Sequence, residues 1–165
     1  MIHTLVYGWI AGMAALFLEI IIATLFFTSA TTSLPFDEKI FPILFPLLIG
    51  TALIEETVKY IALRNAFNQN IPSFKNALTN GVLIGIGFAL FEACMKIVFH
   101  ETQSVLLAAA ISSIVVHGTT GGILGISFFF RTHHTFFSLF FLTAFTLHVA
   151  YNIFLSSHLA TLFSQ

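Results

Sequence analysis

Apolar residues run in long, nearly unbroken blocks along this chain, and most polar residues are gathered between them. A bilayer hydrocarbon core of roughly 30 Å takes about 20 apolar residues per helical span. Five blocks reach that length, predicting spans over Leu5–Phe27, Ile40–Leu63, Leu78–Phe99, Val105–Phe130 and Phe136–Leu155. The expected fold class is all-α: a polytopic membrane protein, a bundle of about five transmembrane helices in one domain over 1–165, with its core motifs in 50–155. Met1–Thr4 is too short and uncharged for the n-region of a cleavable signal, and the run after it is too long for an h-region. The first block therefore reads as a retained span.

The segment Ser29–Lys39, with its Thr and Ser run, Pro35 and acidic pair, reads as one connecting loop, and Asn65–Ser73, which holds Pro72, as another. Pro42 and Pro46 fall near the start of the second span, where a missing N–H is best tolerated. Small residues recur at helical spacing in Gly8 and Gly12, Gly81 and Gly85, Gly118 and Gly122, and Gly121 and Gly125. In lipid such pairs let helix backbones approach closely, and tight packing is a sufficient reason for them.

Composition agrees with the pattern. The chain is 58% hydrophobic and 8% charged, against about 25% charged in ordinary soluble domains. A formal net charge of −1 leaves no basic patch and excludes nucleic acid as a partner class. The single Cys94 lies inside an apolar run and implies no disulfide framework. Arg64 and Lys75 bracket one loop, Lys59 lies just before it, and Arg131 marks the turn between the fourth and fifth spans. Asp37, Glu38, Lys39 and Glu101 fall on the opposite side. The positive-inside rule then gives a multi-pass protein with a cytoplasmic N-terminus and an external C-terminus.

Against this background a few polar side chains stand out. On insertion scales an ionisable residue at mid-span costs roughly 2.5–3.5 kcal/mol, whereas a Leu or Phe returns about 0.3–0.6. Glu55, Glu56, Lys59 and Glu92 all lie at or near mid-depth, so isolated they would cost on the order of 10 kcal/mol. They are expected to face one another inside the bundle. Glu55 and Lys59 are four apart, share a helix face and can pair; Glu56 points about 100° away, toward a different partner. Lys59 is also near enough to the span's end to snorkel. Lys96, four residues after Glu92, is a local partner for it. His117 and His148 lie near mid-span, and His148 and Asn152 project from one face. Glu19, a mid-span acid in the first block, has no sequence-local partner and no assigned role. His3, His100, His133, His134 and His158 fall in loops or span ends and are assigned none.

Taken in order, Glu55-Glu56-x-x-Lys59, Gly87-Phe88-Ala89-x-x-Glu92, His117 with its Thr and Gly run, and His148-x-x-x-Asn152 resemble the PrsW family of intramembrane proteases. That family belongs to the clan of CAAX prenyl proteases and bacteriocin-processing enzymes. The resemblance covers the second to fifth spans; Ala93 departs from it, standing where Asn is expected after the motif glutamate. It implies hydrolysis of a peptide bond in a membrane-anchored protein, with the bilayer as the second partner. The family's founder looks like a site-one protease acting on an anti-sigma factor.

Peptide hydrolysis needs an activated water, a stabilised oxyanion and a proton for the leaving amine. The expected assignment gives water activation to Glu55 or Glu56 together with Glu92 or His117, oxyanion donation to His148 and Asn152, and orientation of the glutamates to Lys59. No cofactor is required by this scheme. Zinc is the alternative, because two His and one Glu from separate helices, here His117, His148 and Glu92, match the ligand set of a catalytic zinc. The chain lacks an H-E-x-x-H helix, which tilts the reading toward metal-free catalysis. Rival classes remain open at this point. A proton- or ion-coupled carrier would bury the same residue types, although no inverted repeat is evident. A haem protein would use His117 and His148 as axial ligands but leaves the glutamates unexplained. A non-catalytic membrane scaffold is the fallback.

Overall fold

The computed structural model describes residues 1–30, 36–67, 73–98 and 103–163. They form five helices and no strand: α1 (Ile2–Ala30), α2 (Phe36–Ala66), α3 (Phe74–Val98), α4 (Gln103–Phe129) and α5 (His134–Phe163). One helix occupies each expected span. Four are long and apolar enough to cross a membrane, over Ile2–Leu25, Phe74–Val98, Leu107–Phe129 and His134–Ser156. The 31 residues of α2 are long enough too, but Glu55, Glu56, Lys59 and Arg64 reduce its hydropathy. That helix packs against all four others, so its charged turn faces protein. The chain is a multi-pass integral membrane protein.

Segments 31–35 and 68–72 of the two expected loops lie outside the described residues, as do His100, Glu101 and the side chains of Asp37, Glu38, Lys39 and His158. Because α2 begins at Phe36, Pro42 and Pro46 sit inside the helix and not at its first turn. Neighbouring helices can satisfy a carbonyl that a proline leaves open.

The bundle is polar within and apolar without. Phe17, Leu25, Leu107, Ile111 and Val115 point outward, while Glu56, Lys59, Ser113, His117, Thr120 and His148 are buried. Leu63, Ile84, Phe88 and Leu124 form the apolar packing around them.

The most extensive pairing joins α3 to α4, and the glycine spacing explains it. A Cβ on Gly81 would strike the Gly121 carbonyl, and one on Gly125 the Ala77 carbonyl. The same close approach joins α1 to α3, where Gly8 meets the Ile84 carbonyl and Gly87 the Leu5 carbonyl. Gly85 lies against the carbonyl oxygen of His117. The seam therefore fixes the depth and rotation of the helix that carries a candidate site residue. Gly85→Ala is expected to destabilise the bundle by about 1–3 kcal/mol, the usual cost of overpacking, and to impair activity by displacing His117. Gly50, with nothing within 4 Å of an added Cβ, is the control: Gly50→Ala should be neutral or slightly stabilising in the same unfolding titration.

Candidate active site

The charged turn of α2 carries three of the site's side chains, and tertiary contacts decide how they pair. Lys59 bonds Glu56, not Glu55: its Nζ lies 2.7 Å from Glu56 Oε1. The i,i+4 pairing with Glu55 expected from spacing gives way to the i,i+3 pairing. The reason lies on α4 and α5, where Thr120 Oγ1 and His148 Nδ1 also converge on Glu56 Oε1, at 3.2 and 2.6 Å. Both Glu56 and Lys59 are 0% exposed, so Lys59 does not snorkel. A carboxylate in this setting needs its donors, and Glu56 collects one from each of three helices.

The same lysine reaches α4. Its Nζ lies 2.7 Å from His117 Nδ1, and an ammonium can only donate. The His117 Nδ1 is therefore the acceptor and Nε2 carries the proton, which points to Glu92 Oε2 at 2.9 Å. Glu92 also accepts from Ser113 Oγ at 2.5 Å and pairs through Oε1 with Lys96 at 2.7 Å. The expected Glu92–Lys96 contact is present, and with it both Glu92 oxygens are engaged.

His148 donates through Nδ1 to Glu56, which turns Nε2 toward Glu55 Oε2 at 3.5 Å. His117 Nδ1 lies 3.8 Å from that same oxygen. The two imidazoles meet edge to face with centroids 4.9 Å apart. Glu55 Oε2 is buried yet has no hydrogen-bond partner. It borders a cavity of about 120 Å³ lined by Gly12, Ala15, Glu19, Glu55, Phe91 and Glu92, among others.

Glu55, Glu56, Lys59, Glu92, His117 and His148 are thus brought together, from four helices. Asn152 is not joined to them: its carbonyl accepts Ser156 Oγ, and its amide makes no hydrogen bond to the cluster among the described residues. Being one turn past His148 puts it on the same face, but at a different depth. Three further residues enter. Glu19 of α1 lines the same cavity as Glu55. Ser113 and Thr120 flank His117 by four and three residues, so the helical period alone could have placed them beside it.

A family model described as PrsW family intramembrane metalloprotease matches residues 1–164. The chain belongs to the PrsW family. No curated protein and no solved structure matches it. As a PrsW protein it is an intramembrane protease, whose substrates are membrane proteins.

The PrsW description implies a metal, and the donor set fits one. Glu55, His117 and His148 each offer a ligand atom, and these atoms all lie within 4.8 Å of one another. The glutamate in this trio is Glu55; Glu92, expected from sequence as the carboxylate ligand, instead holds the far nitrogen of His117. Glu56 holds the far nitrogen of His148 in the same way. Metal-ligating histidines are characteristically oriented by such carboxylates. The unpartnered Glu55 oxygen completes the fit. The contact opposing it is the Lys59 ammonium at His117 Nδ1.

Proposed function

We propose that the chain hydrolyses a peptide bond of a membrane-anchored protein at a centre made of Glu55, His117 and His148. The observation that carries the reading is the buried, unpartnered Glu55 oxygen, which faces two histidine nitrogens and a cavity. Glu56 Oε2 and Glu19 Oε1 are also buried without a partner; what sets Glu55 Oε2 apart is a nitrogen from each histidine, at 3.8 and 3.5 Å. Glu56 Oε1 and Glu92 Oε2 each accept from a histidine and from other groups.

In this scheme Glu55 accepts a proton from the attacking water and returns it to the leaving amine. His148, locked by Glu56, presents Nε2 beside that carboxylate. His117 is locked by Glu92, with Lys59 supplying a positive charge at its other nitrogen. Such a fixed charge favours the oxyanion that forms on the scissile carbonyl, because the surroundings exclude water. A zinc-class ion would be held by Glu55, His117 and His148, and would contribute Lewis acidity toward that carbonyl. Phe88 stacks near His117 and lies under Lys59, with centroid distances of 4.8 and 4.6 Å, and so limits water on the α3 side. An anti-sigma factor is the candidate substrate that the family resemblance suggests, and the plasma membrane, with the N-terminus cytoplasmic, is the expected setting.

The test is cleavage of a panel of single-span reporters in proteoliposomes. Wild type should cleave at least one reporter. A membrane-permeant zinc chelator should abolish cleavage, and added zinc should restore it. Full activity after chelation, with metal absence verified by elemental analysis, would leave the glutamate-driven scheme and remove the ion from it.

Glu19 borders the same cavity from α1, where an extended substrate backbone would pass close to Glu55. Glu19→Ala is expected to lower cleavage by about tenfold or more, within the range seen when a positioning group is lost. An unchanged rate would make Glu19 a bystander.

A further inference from the structure

The contact between α1 and α3 changes character along its length. Thr4 meets Asn80, Gly8 meets the Ile84 backbone and Gly12 meets the Phe91 side chain. These contacts advance together along both helices, so α1 and α3 run in the same direction. Near the start of α1 the fit is backbone to backbone, and Thr4 Oγ1 donates to Asn80 Oδ1 at 2.8 Å. At Gly12 a side chain takes over. The Phe91 ring stands against that glycine and meets Trp9 edge-on, with centroids 5.5 Å apart. Past this wedge the two helices form walls of the cavity of about 120 Å³, with Leu16 and Glu19 from α1 and Glu92 and Met95 from α3.

Other junctions at the depth of the histidines are tied across by hydrogen bonds. Ser113 of α4 donates to Glu92 of α3, while Thr120 of α4 and His148 of α5 donate to Glu56 of α2. Ser112 of α4 and Tyr151 of α5 share a bond at 2.9 Å. A chain passing between those helices would break bonds that hold the candidate site. The cavity wall on α3 is different, because the Glu92 side chain is 34% exposed while its partner His117 is 2% exposed. On the α1 wall, Glu19 Oε1 is buried without a hydrogen-bond partner, which is unfavourable until a donor reaches it. An α-helix, about 10–12 Å across with its side chains, is too wide for this cavity. An extended peptide is narrower, and its free N–H groups need acceptors that lipid does not offer. Glu19 supplies one beside Glu55.

We propose that substrate enters between α1 and α3, past Phe91, as an extended segment of a membrane protein, and reaches Glu55 through this opening. The route rests on Glu55 being the hydrolytic centre, and the experiment separates the two.

The full chain is assayed in proteoliposomes with Cys94→Ser, which removes the one native cysteine. The pair L16C/M95C puts a thiol on each wall; a short bifunctional methanethiosulfonate joins them and a reductant releases them. The joined form should cleave single-span reporters about tenfold or more slowly than its reduced form, as expected when an entry is shut. T4C/N80C and S112C/Y151C, joined in the same way, tie helices that are already bonded there, and should cleave at the rates of their reduced forms. Equal rates in joined and reduced L16C/M95C, or loss of cleavage on joining S112C/Y151C alone, overturns the proposal. Should L16C/M95C fail to fold or to join, benzoylphenylalanine placed at Met95 or at Ile111 in the Glu55→Gln protein decides. Light should couple the reporter at Met95 in preference to Ile111, which points outward on α4; coupling at Met95 no stronger than at Ile111 overturns the route. If the Cys94→Ser parent and wild type cleave no reporter, the hydrolytic reading itself fails and the route falls with it.

Discussion

Glu55→Gln is expected to abolish cleavage while leaving helix content and the unfolding midpoint close to wild type. The amide is isosteric with the carboxylate but cannot accept a proton, and general-base catalysis is worth about 10²–10⁴-fold. If an ion is bound, the same substitution also weakens one of its three protein ligands, so the loss should lie at the upper end of that range. Stability should be spared because Glu55 Oε2 makes no hydrogen bond that the amide would break. Glu56→Gln gives the contrast. Glu56 Oε1 takes donors from Lys59, His148 and Thr120, so its variant should lose stability along with activity. Measured side by side, an inactive but stable Glu55→Gln and an inactive, destabilised Glu56→Gln would separate the reacting carboxylate from the anchoring one. An active Glu55→Gln protein would sink the assignment.

How far that contrast could be read from sequence depends on the range of the interactions involved. The five helices were legible because each is a block of about 20 apolar residues, a signal set by the bilayer and not by neighbours. That the mid-span charges cluster was legible too, since an isolated charge in lipid is too costly to keep. Which carboxylate does what was not. Local spacing points to the i,i+4 pairing of Glu55 with Lys59, although Glu56 is also within a helical turn. His148 on α5 and Thr120 on α4 decide the matter, and they lie 92 and 64 residues away in sequence. The same limit applies to Glu92. Its tie to Lys96 is local and was legible, whereas its bond to His117 Nε2 crosses between helices and sets it apart from the candidate trio of Glu55, His117 and His148. Asn152 shares a face with His148, but that spacing does not make its amide a hydrogen-bond partner of the cluster among the described residues. Glu19 had no local partner to find, because Glu55, which lines the same cavity, comes from another helix.

The glycine seam links the two levels. Contact of the α3 and α4 backbones at Gly81, Gly85 and Gly121 brings Glu92 and His117 within a hydrogen bond of each other. A larger residue at any of these three positions would separate a pair on which the orientation of His117 depends. Small residues whose spacing is explained by packing thus also set the geometry of the candidate site.

Lys59→Met is expected to be the most destabilising single change in the chain. Methionine nearly matches the lysine in length but removes the ammonium bonded to Glu56. Glu56 would keep His148 and Thr120 as donors but would remain 0% exposed. Removing one partner of a buried ion pair typically costs about 3–5 kcal/mol, whereas replacing both partners by neutral groups is often close to neutral. The double variant Lys59→Met/Glu56→Gln should therefore recover most of the loss, giving a large coupling energy in a double-mutant cycle. Unfolding titrations in detergent micelles, followed by circular dichroism, provide the four values needed. A Lys59→Met protein as stable as wild type would mean that the pair carries no net charge interaction. The recovered double variant should nonetheless be inactive, because His117 loses the ammonium at Nδ1 and His148 loses the carboxylate that turns Nε2 toward Glu55. Stability restored without activity would distinguish a pair that positions the histidines from one that merely fills the core.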